Sequence, residues 1–273
     1  MTQTIIITGT SSGLGRATAK LFQTRGWNVV ATMRSPEKET ELSALNQTLV
    51  TRLDVEDADS IAAAVEAGIS TFGRIDALVN NAGYGAYGPL EATPRDQIRR
   101  QFDVNVLGLL ATTQALLPHF RANRAGTIIN VSSMGGRVAF PLGTLYHATK
   151  FAVEGLSESL SYELAAIGVR VKLVEPGLMA TDFGGRSLAF SNDPSLTEYQ
   201  PTVESVMGAF GSAMKQAARP ETVAESVYQA AIDGTDRLRF VAGADAQQMI
   251  DIRRDVDDQA FMAGIKTQFG LDA

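Results

Sequence analysis

Apolar residues come in short β-branched runs that alternate with longer stretches of helical period. Thr4-Ile5-Ile6-Ile7-Thr8 has no polar break between its threonines, the pattern of a strand buried on both faces of a parallel sheet. Helical periodicity follows in ATAKLFQTRG and stops at Gly26. The alternation then repeats. Further strands are predicted at Asn28–Met33, Leu49–Leu53, Ile75–Val79, Gly126–Val131, Val169–Val174 and Leu238–Val241. Helices are predicted at Pro36–Leu45, at Asp57–Phe72, from Pro94 toward Leu117-Pro118, from Gly143 to Gly168, and from Arg219 to Gly234. This rhythm predicts an α/β fold, a doubly wound parallel sheet of about seven strands with helices on both faces.

Two stretches depart from it. Residues from about Leu178 to Gln216 mix Met and Phe with glycines, serines and prolines, and are expected to form a lid. The tail, Ala244 to Ala273, has helical character. A chain of 273 residues suits one large core, so residues 1–273 are expected to form a single domain.

Composition narrows the function. The formal charge is -6 with no run of Lys or Arg, which argues against nucleic acid or an anionic membrane as partner. Without cysteine there is no disulfide or thiol chemistry, and His119 and His147 lack metal-ligand spacing, so no metal is expected. No apolar stretch approaches the ~18–20 residues of a membrane span. Met1-Thr2-Gln3 runs straight into the first strand without a basic leader. The expectation is a soluble, cytoplasmic protein.

The chemistry begins at the first turn. Gly9-Thr10-Ser11-Ser12-Gly13-Leu14-Gly15 lies between a strand and a helix, the geometry that presents backbone N–H groups to a phosphate. At the end of the second strand an acidic residue would favour NAD, and an arginine the 2′-phosphate of NADP. The chain has Met33-Arg34, with the hydroxyls of Ser11 and Ser12 nearby, so NADP(H) is expected over NAD(H). Gly83-Tyr84-Gly85-Ala86-Tyr87-Gly88 also has a dinucleotide-like spacing, but Pro89 follows and the next helix starts only near Thr93-Pro94. It is read as a flexible loop beside a pocket. Asn105, among apolar residues, either bonds backbone at a helix kink or holds a water that relays protons to Lys150.

Tyr146 and Lys150, four apart on the helix from Gly143, share one face, and a cation there would favour the phenolate. Ser133 stands thirteen residues upstream of Tyr146, at the carboxyl end of a strand, where ligands bind in open α/β sheets. His147, one position on, points about 100° away and is expected to be structural or interfacial. His119 is read as a helix-end residue.

Taken together, Thr8-Gly9-x-x-x-Gly13-x-Gly15, Asp54-Val55, Asn80-Asn81-Ala82-Gly83, Asn105, Ser132-Ser133, Tyr146-x-x-x-Lys150 and Pro176-Gly177-x-x-x-Thr181 resemble the short-chain dehydrogenase/reductase family in its single-domain branch. The resemblance implies a Rossmann-type fold. It implies that Tyr146 is the general acid/base, that Ser133 holds the substrate oxygen, that Lys150 bonds the nicotinamide ribose, and that Asn105 completes a proton relay. It further implies cofactor contacts from Gly9, Ser11, Ser12, Gly13, Leu14, Gly15, Met33, Arg34, Asp54, Val55, Asn81, Ala82, Gly83, Pro176, Gly177 and Thr181. A small-molecule carbonyl or alcohol would be the substrate, and a bulky hydrophobic one is suggested by the apolar lid. Homodimers or homotetramers would form through helices such as that carrying Ala152, Gly155, Leu156 and Ser159. The competing reading is a non-catalytic NADP(H)-binding regulator, which would be expected to lack one of Asn105, Ser133, Tyr146 and Lys150; all four are present.

Overall fold

The computed structural model describes residues 2–180 and 188–272. Its centre is a seven-stranded sheet with every pairing parallel. The strands are β1 (Thr4–Ile7), β2 (Asn28–Met33), β3 (Thr48–Arg52), β4 (Ala77–Asn80), β6 (Gly126–Val131), β7 (Val169–Pro176) and β9 (Arg239–Ala242). Their order is β3-β2-β1-β4-β6-β7-β9, so the chain winds outward from β1 to one edge and, starting again at β4, to the other. The crevice beyond the carboxyl ends of β1 and β4, where the winding reverses, is where such sheets bind ligands.

The alternation of side chains along each strand builds two layers. Ile5 and Ile7 face one side with Val29, Ala31 and Val79, against α1 (Gly13–Thr24) and α7 (Pro220–Ile232). Ile6 faces the other with Val30, Leu78 and Ile128, against α2 (Ala58–Phe72), α4 (Gly108–Asn123) and α5 (Thr144–Ala165). Every residue of β1 and β4 is buried, so their apolar runs had no polar face to show.

Three expectations are corrected. The stretch Pro36–Leu45 is two short 3₁₀ turns, Pro36–Lys38 and Leu42–Ala44, because the buried Glu39 carboxylate accepts the N–H groups of Glu41 and Leu42 (both 2.9 Å). A continuous helix would need those donors itself. The helix predicted from Pro94 is α3 (Arg95–Phe102), then a π-turn over Asp103–Leu107, then α4, which continues past Pro118 to Asn123. The Gly83–Gly88 stretch is ordered by a strand: β5 (Gly85–Tyr87) pairs in parallel with β8 (Leu188–Phe190). No helix opens on its glycines. The described part of the Leu178–Gln216 region holds, besides β8, a regular helix, α6 (Gln200–Ala213), with Val203 and Val206 buried.

The tail forms α8 (Ala244–Asp255) and α9 (Asp258–Gln268). It is tied down by Phe269, buried 6.0 Å from Phe140, and by a bond from Ser205 Oγ to the Phe269 carbonyl (2.5 Å). Among the described residues no helix is long and apolar enough to cross a membrane.

Candidate functional site

The turn after β1 is held from two directions. Gly9 and Gly13 have φ of +72° and +53°, which L side chains rarely adopt. Across the crevice, Asn81 Nδ2 donates to the carbonyls of Thr8 (2.8 Å) and Gly9 (3.1 Å), while Thr8 Oγ1 accepts the N–H groups of Asn81 and Ala82 (both 3.0 Å). The end of β4 thus fixes the start of α1. Ser12 is the N-cap of α1 with its side chain unspent on the cap, leaving the first N–H groups of the helix toward the crevice.

A cleft of about 310 Å³ opens there, walled by Gly9, Ser11, Ser12, Gly13, Leu14 and Gly15 from the turn and by Met33 and Arg34 beyond β2. Asp54 and Val55, then Asn81, Ala82 and Gly83, continue the wall, and Tyr146 and Lys150 close its far end. Fifteen of the predicted residues therefore share one cavity. Pro176 and Gly177 stand behind the wall: Pro176 offers its carbonyl to Ser133 Oγ (3.5 Å), and Gly177 leaves room for the Asp245 carboxylate, which accepts the Leu178 N–H (2.8 Å). Thr181 lies outside the described residues.

The cleft also has walls that the motifs did not name. Glu56 and Tyr84 directly follow Val55 and Gly83, so continuing each motif by one residue would have reached them. Arg100 of α3 packs its guanidinium 5.3 Å from the Tyr84 ring centre and 3.9 Å from Glu56. Met179, Leu188 and Ala189 come from the expected lid. Nothing local in the sequence marks these four.

At the head of the cleft, Ser133 accepts the Gly135 N–H (3.0 Å) and its hydroxyl hydrogen-bonds the Tyr146 phenol. Lys150 Nζ donates to the Val131 carbonyl (2.9 Å) and lies 5.8 Å from the centre of the Tyr146 ring. The sequence led us to expect a phenol made more acidic by Lys150. Instead burial raises Tyr146 above its ordinary value, with the Ser133 bond acting against it, while the Lys150 ammonium lies over the ring and donates to a backbone carbonyl. Burial lowers Lys150 to about 8, opposed by Glu154, so it remains mostly cationic at neutrality.

Asn105 sits in the π-turn, buried. Its amide donates to the Tyr84 carbonyl (2.9 Å) and Thr149 Oγ1 (3.2 Å) and accepts the Tyr84 N–H (3.0 Å). Of the two roles left open for it, this geometry displays the backbone-bonding one. Gln101 secures the same loop, accepting the Ala86 N–H (2.5 Å). That loop carries Tyr87, whose ring lies 5.4 Å from that of Tyr146 and 6.1 Å from Phe210 of α6. His147 is buried and structural: Nδ1 donates to the Gly135 carbonyl (2.9 Å) and Nε2 accepts the Phe140 N–H (3.0 Å). His119, in the last turns of α4, accepts the Ile75 N–H (3.1 Å). Among the described residues no group of three or more acidic or histidine side chains could hold a metal.

The glycine cradle, the exposed helix start and Arg34 fit a dinucleotide. Residues 3–190 match the short chain dehydrogenase family. An uncharacterised oxidoreductase of Schizosaccharomyces pombe is 44% identical over 88% of this chain and all of its own length. Mouse 17-beta-hydroxysteroid dehydrogenase type 1 is 35% identical over 86% of this chain and 72% of its own. Among solved structures, a short-chain dehydrogenase from Streptomyces avermitilis aligns with TM-score 0.83 and 32% identity over 99% of this chain and 98% of that one. One from Burkholderia cenocepacia in complex with NADP aligns at 0.76 and 27%, over 97% of each chain. A 3-ketoacyl-(acyl-carrier-protein) reductase from Brucella melitensis complexed with NADH aligns at 0.73 and 28%, over 89% of this chain and 98% of that one. The chain belongs to the short-chain dehydrogenase/reductase family and is an NAD(P)-dependent oxidoreductase.

Proposed function

We propose that the protein is NADP(H)-dependent and interconverts a carbonyl and an alcohol, with Tyr146 as general acid in reduction and general base in oxidation. The observation that carries this reading is the convergence of Tyr146, Ser133 and Lys150 at the head of the cleft that begins at the glycine turn. The turn from Gly9 to Gly15 would hold the pyrophosphate, Asp54 and Val55 the adenine, and Lys150 the nicotinamide ribose. Bound there, the cofactor supplies or accepts the hydride. Ser133 would hold the substrate oxygen beside Tyr146. A phenol raised by burial keeps its proton at neutrality and has it ready to donate, and the charge of Lys150 favours the phenolate left behind.

Arg34 supports the NADP(H) preference. It lines the cleft with Ser11 and Ser12, while the nearby carboxylates Glu39 and Glu41 are engaged by Arg16, and Glu41 also by Lys20. Neighbouring structures carry either NADP or NADH, so the preference rests on these residues. Tyr87, Phe210, Met179 and Leu188 make the approach apolar and aromatic, which favours a bulky hydrophobic ketone, aldehyde or secondary alcohol. The 35% identity to an enzyme named for hydroxysteroids points the same way. We read residues 1–273 as one domain, with the stretch around 178–216 as lid, and place the protein in the cytoplasm as a homo-oligomer.

The test is calorimetric titration with NADPH and NADH, since Trp27 is buried against Phe22 at the start of β2 and makes a poor reporter. NADPH should bind at least ~10-fold tighter, and Arg34→Ala should erase most of that difference. Tyr146→Phe should lower kcat by about 10²–10⁴-fold on a carbonyl panel and leave NADPH affinity nearly unchanged. Preferred NADH would overturn the cofactor assignment. An active Tyr146→Phe would overturn the acid/base role, and binding of neither cofactor would overturn the whole reading.

A further inference from the structure

Behind Lys150 lies a buried cluster that the reaction as described does not use. Glu154 and Glu175 are 5% and 0% exposed, low enough that each must find compensation inside the protein. They are bridged by one atom: Arg239 Nε lies 3.0 Å from Glu154 Oε2 and 3.4 Å from Glu175 Oε1. Arg137 reaches Glu175 Oε1 (3.1 Å), and Glu158, at the surface, takes Arg239 Nη2 (2.7 Å). The Ser132 hydroxyl lies beside the Glu154 carboxyl and lowers its pKa, and among the described residues Glu154 Oε1 and Glu175 Oε2 have no hydrogen-bond donor. Gly136 permits this crowding. A Cβ there would stand 2.7 Å from Ser132 Oγ, 2.9 Å from Glu154 Cγ and 2.9 Å from the Lys150 carbonyl.

We propose that Glu154 is a positioning residue for the reaction proposed above, holding Lys150 cationic beneath Tyr146 through its own negative charge. Glu154 is four residues beyond Lys150 on α5, so both side chains leave the helix on one face. Lys150 is half-buried at the end of the cleft, and a charge in that setting is felt more strongly than across water. The groups acting on Glu154 are Ser132 just after β6, Glu175 from β7 and Arg239 from β9; Lys150 on α5 feels its charge, while Arg137 and Glu158 engage its partners Glu175 and Arg239. Burial, with Glu175 adding to it, raises Glu154, while Ser132 and Arg239 lower it. Glu154 therefore gains its charge as pH rises toward the range in which Lys150 would otherwise lose its own.

The inference rests on the functional reading, and its test separates the two. We would record kcat/KM against pH, with NADPH and a carbonyl that the wild type turns over, for the wild type, Glu154→Gln, Glu154→Met and Glu158→Gln. Both Glu154 variants should keep activity at about pH 6 and lose it on the alkaline side about one pH unit earlier than the wild type. Glu158→Gln, which removes a surface partner of the same arginine, should superimpose on the wild type. A purely structural Glu154 would lower the plateau or the melting temperature without moving the limb. The methionine variant is close in length and uncharged, so it decides the matter if the glutamine variant does not fold. An unmoved alkaline limb in either folded variant overturns the inference alone; a wild type without cofactor binding or turnover overturns it together with the functional reading.

Discussion

His147 shows how one residue can stand beside the chemistry and serve only the frame. Its ring spans from the Gly135 carbonyl to the Phe140 N–H, closing the loop that leads from Ser133 to α5. Those bonds require a neutral ring with its proton on Nδ1, and burial accordingly lowers its pKa, against the Gly135 bond. The consequence for stability has a definite sign. Above the ordinary value of 6.5 both folded and unfolded histidine are neutral and the contribution is complete. Below it the unfolded chain takes a proton that the folded one refuses, so stability is lost as pH falls. Glu154 titrates with the opposite sign, so the quantity to measure is the difference between wild type and His147→Gln in urea unfolding. His147→Gln should cost about 1–3 kcal/mol at pH 8. The gap should narrow toward pH 5.5; a gap independent of pH would mean that His147 is not held neutral. The sequence predicted the role of this histidine from the turn of its helix, but not the state of Tyr146. Spacing says that Lys150 is near, whereas only the fold says that it faces the ring and the Val131 carbonyl.

Among the elements, the turn into α1 is the most constrained. A Cβ on Gly15 would lie 2.3 Å from the Gly9 carbonyl oxygen and 2.5 Å from Asn81 Nδ2, pushing apart the turn and the end of β4 that holds it. Gly15→Ala should therefore weaken NADPH binding by at least ~10-fold and cost about 1–3 kcal/mol of stability. Gly208 of α6 meets nothing within 4 Å, and Gly208→Ala should instead add about 1 kcal/mol and leave binding alone. Calorimetry and urea unfolding measure both; undiminished binding by Gly15→Ala would mean that the turn does not seat the cofactor. This turn and the parallel strands were legible because their signals are local: glycines at fixed spacing, and β-branched runs with no polar face. The elements that were misread are decided by partners elsewhere. Glu39 breaks a predicted helix by capturing N–H groups, which no periodicity reveals. The π-turn at Asp103–Leu107 interrupts a helical pattern that the sequence carries through unbroken. The β5–β8 pair joins segments about a hundred residues apart, and either alone reads as loop.

At the scale of the whole molecule, one helical face is left without cover. Leu107 in the π-turn, which packs against α5, is 56% exposed, and Phe151 and Tyr162 on α5 are 47% and 74% exposed. The sequence had pointed to α5 through its small residues, and Gly155, between Phe151 and Ser159, is indeed exposed. Large apolar side chains gathered on a monomer surface mark an interaction site. A two-fold interface presents each side chain twice, so one substitution acts at two places. Burying a phenylalanine is worth about 1.5–3 kcal/mol. In such an interface Phe151→Glu would therefore lose that amount twice and set a charge in each apolar contact. The expected outcome is dimer association weakened by roughly 10²–10⁴-fold, at 1.4 kcal/mol per factor of ten, read as a monomer by sedimentation at micromolar concentration. Phe151 is not among the residues that wall the cleft, so the folded monomer should keep its NADPH affinity. A wild type that sediments as a monomer, or a Phe151→Glu that sediments with the wild type, would show that assembly does not run through α5.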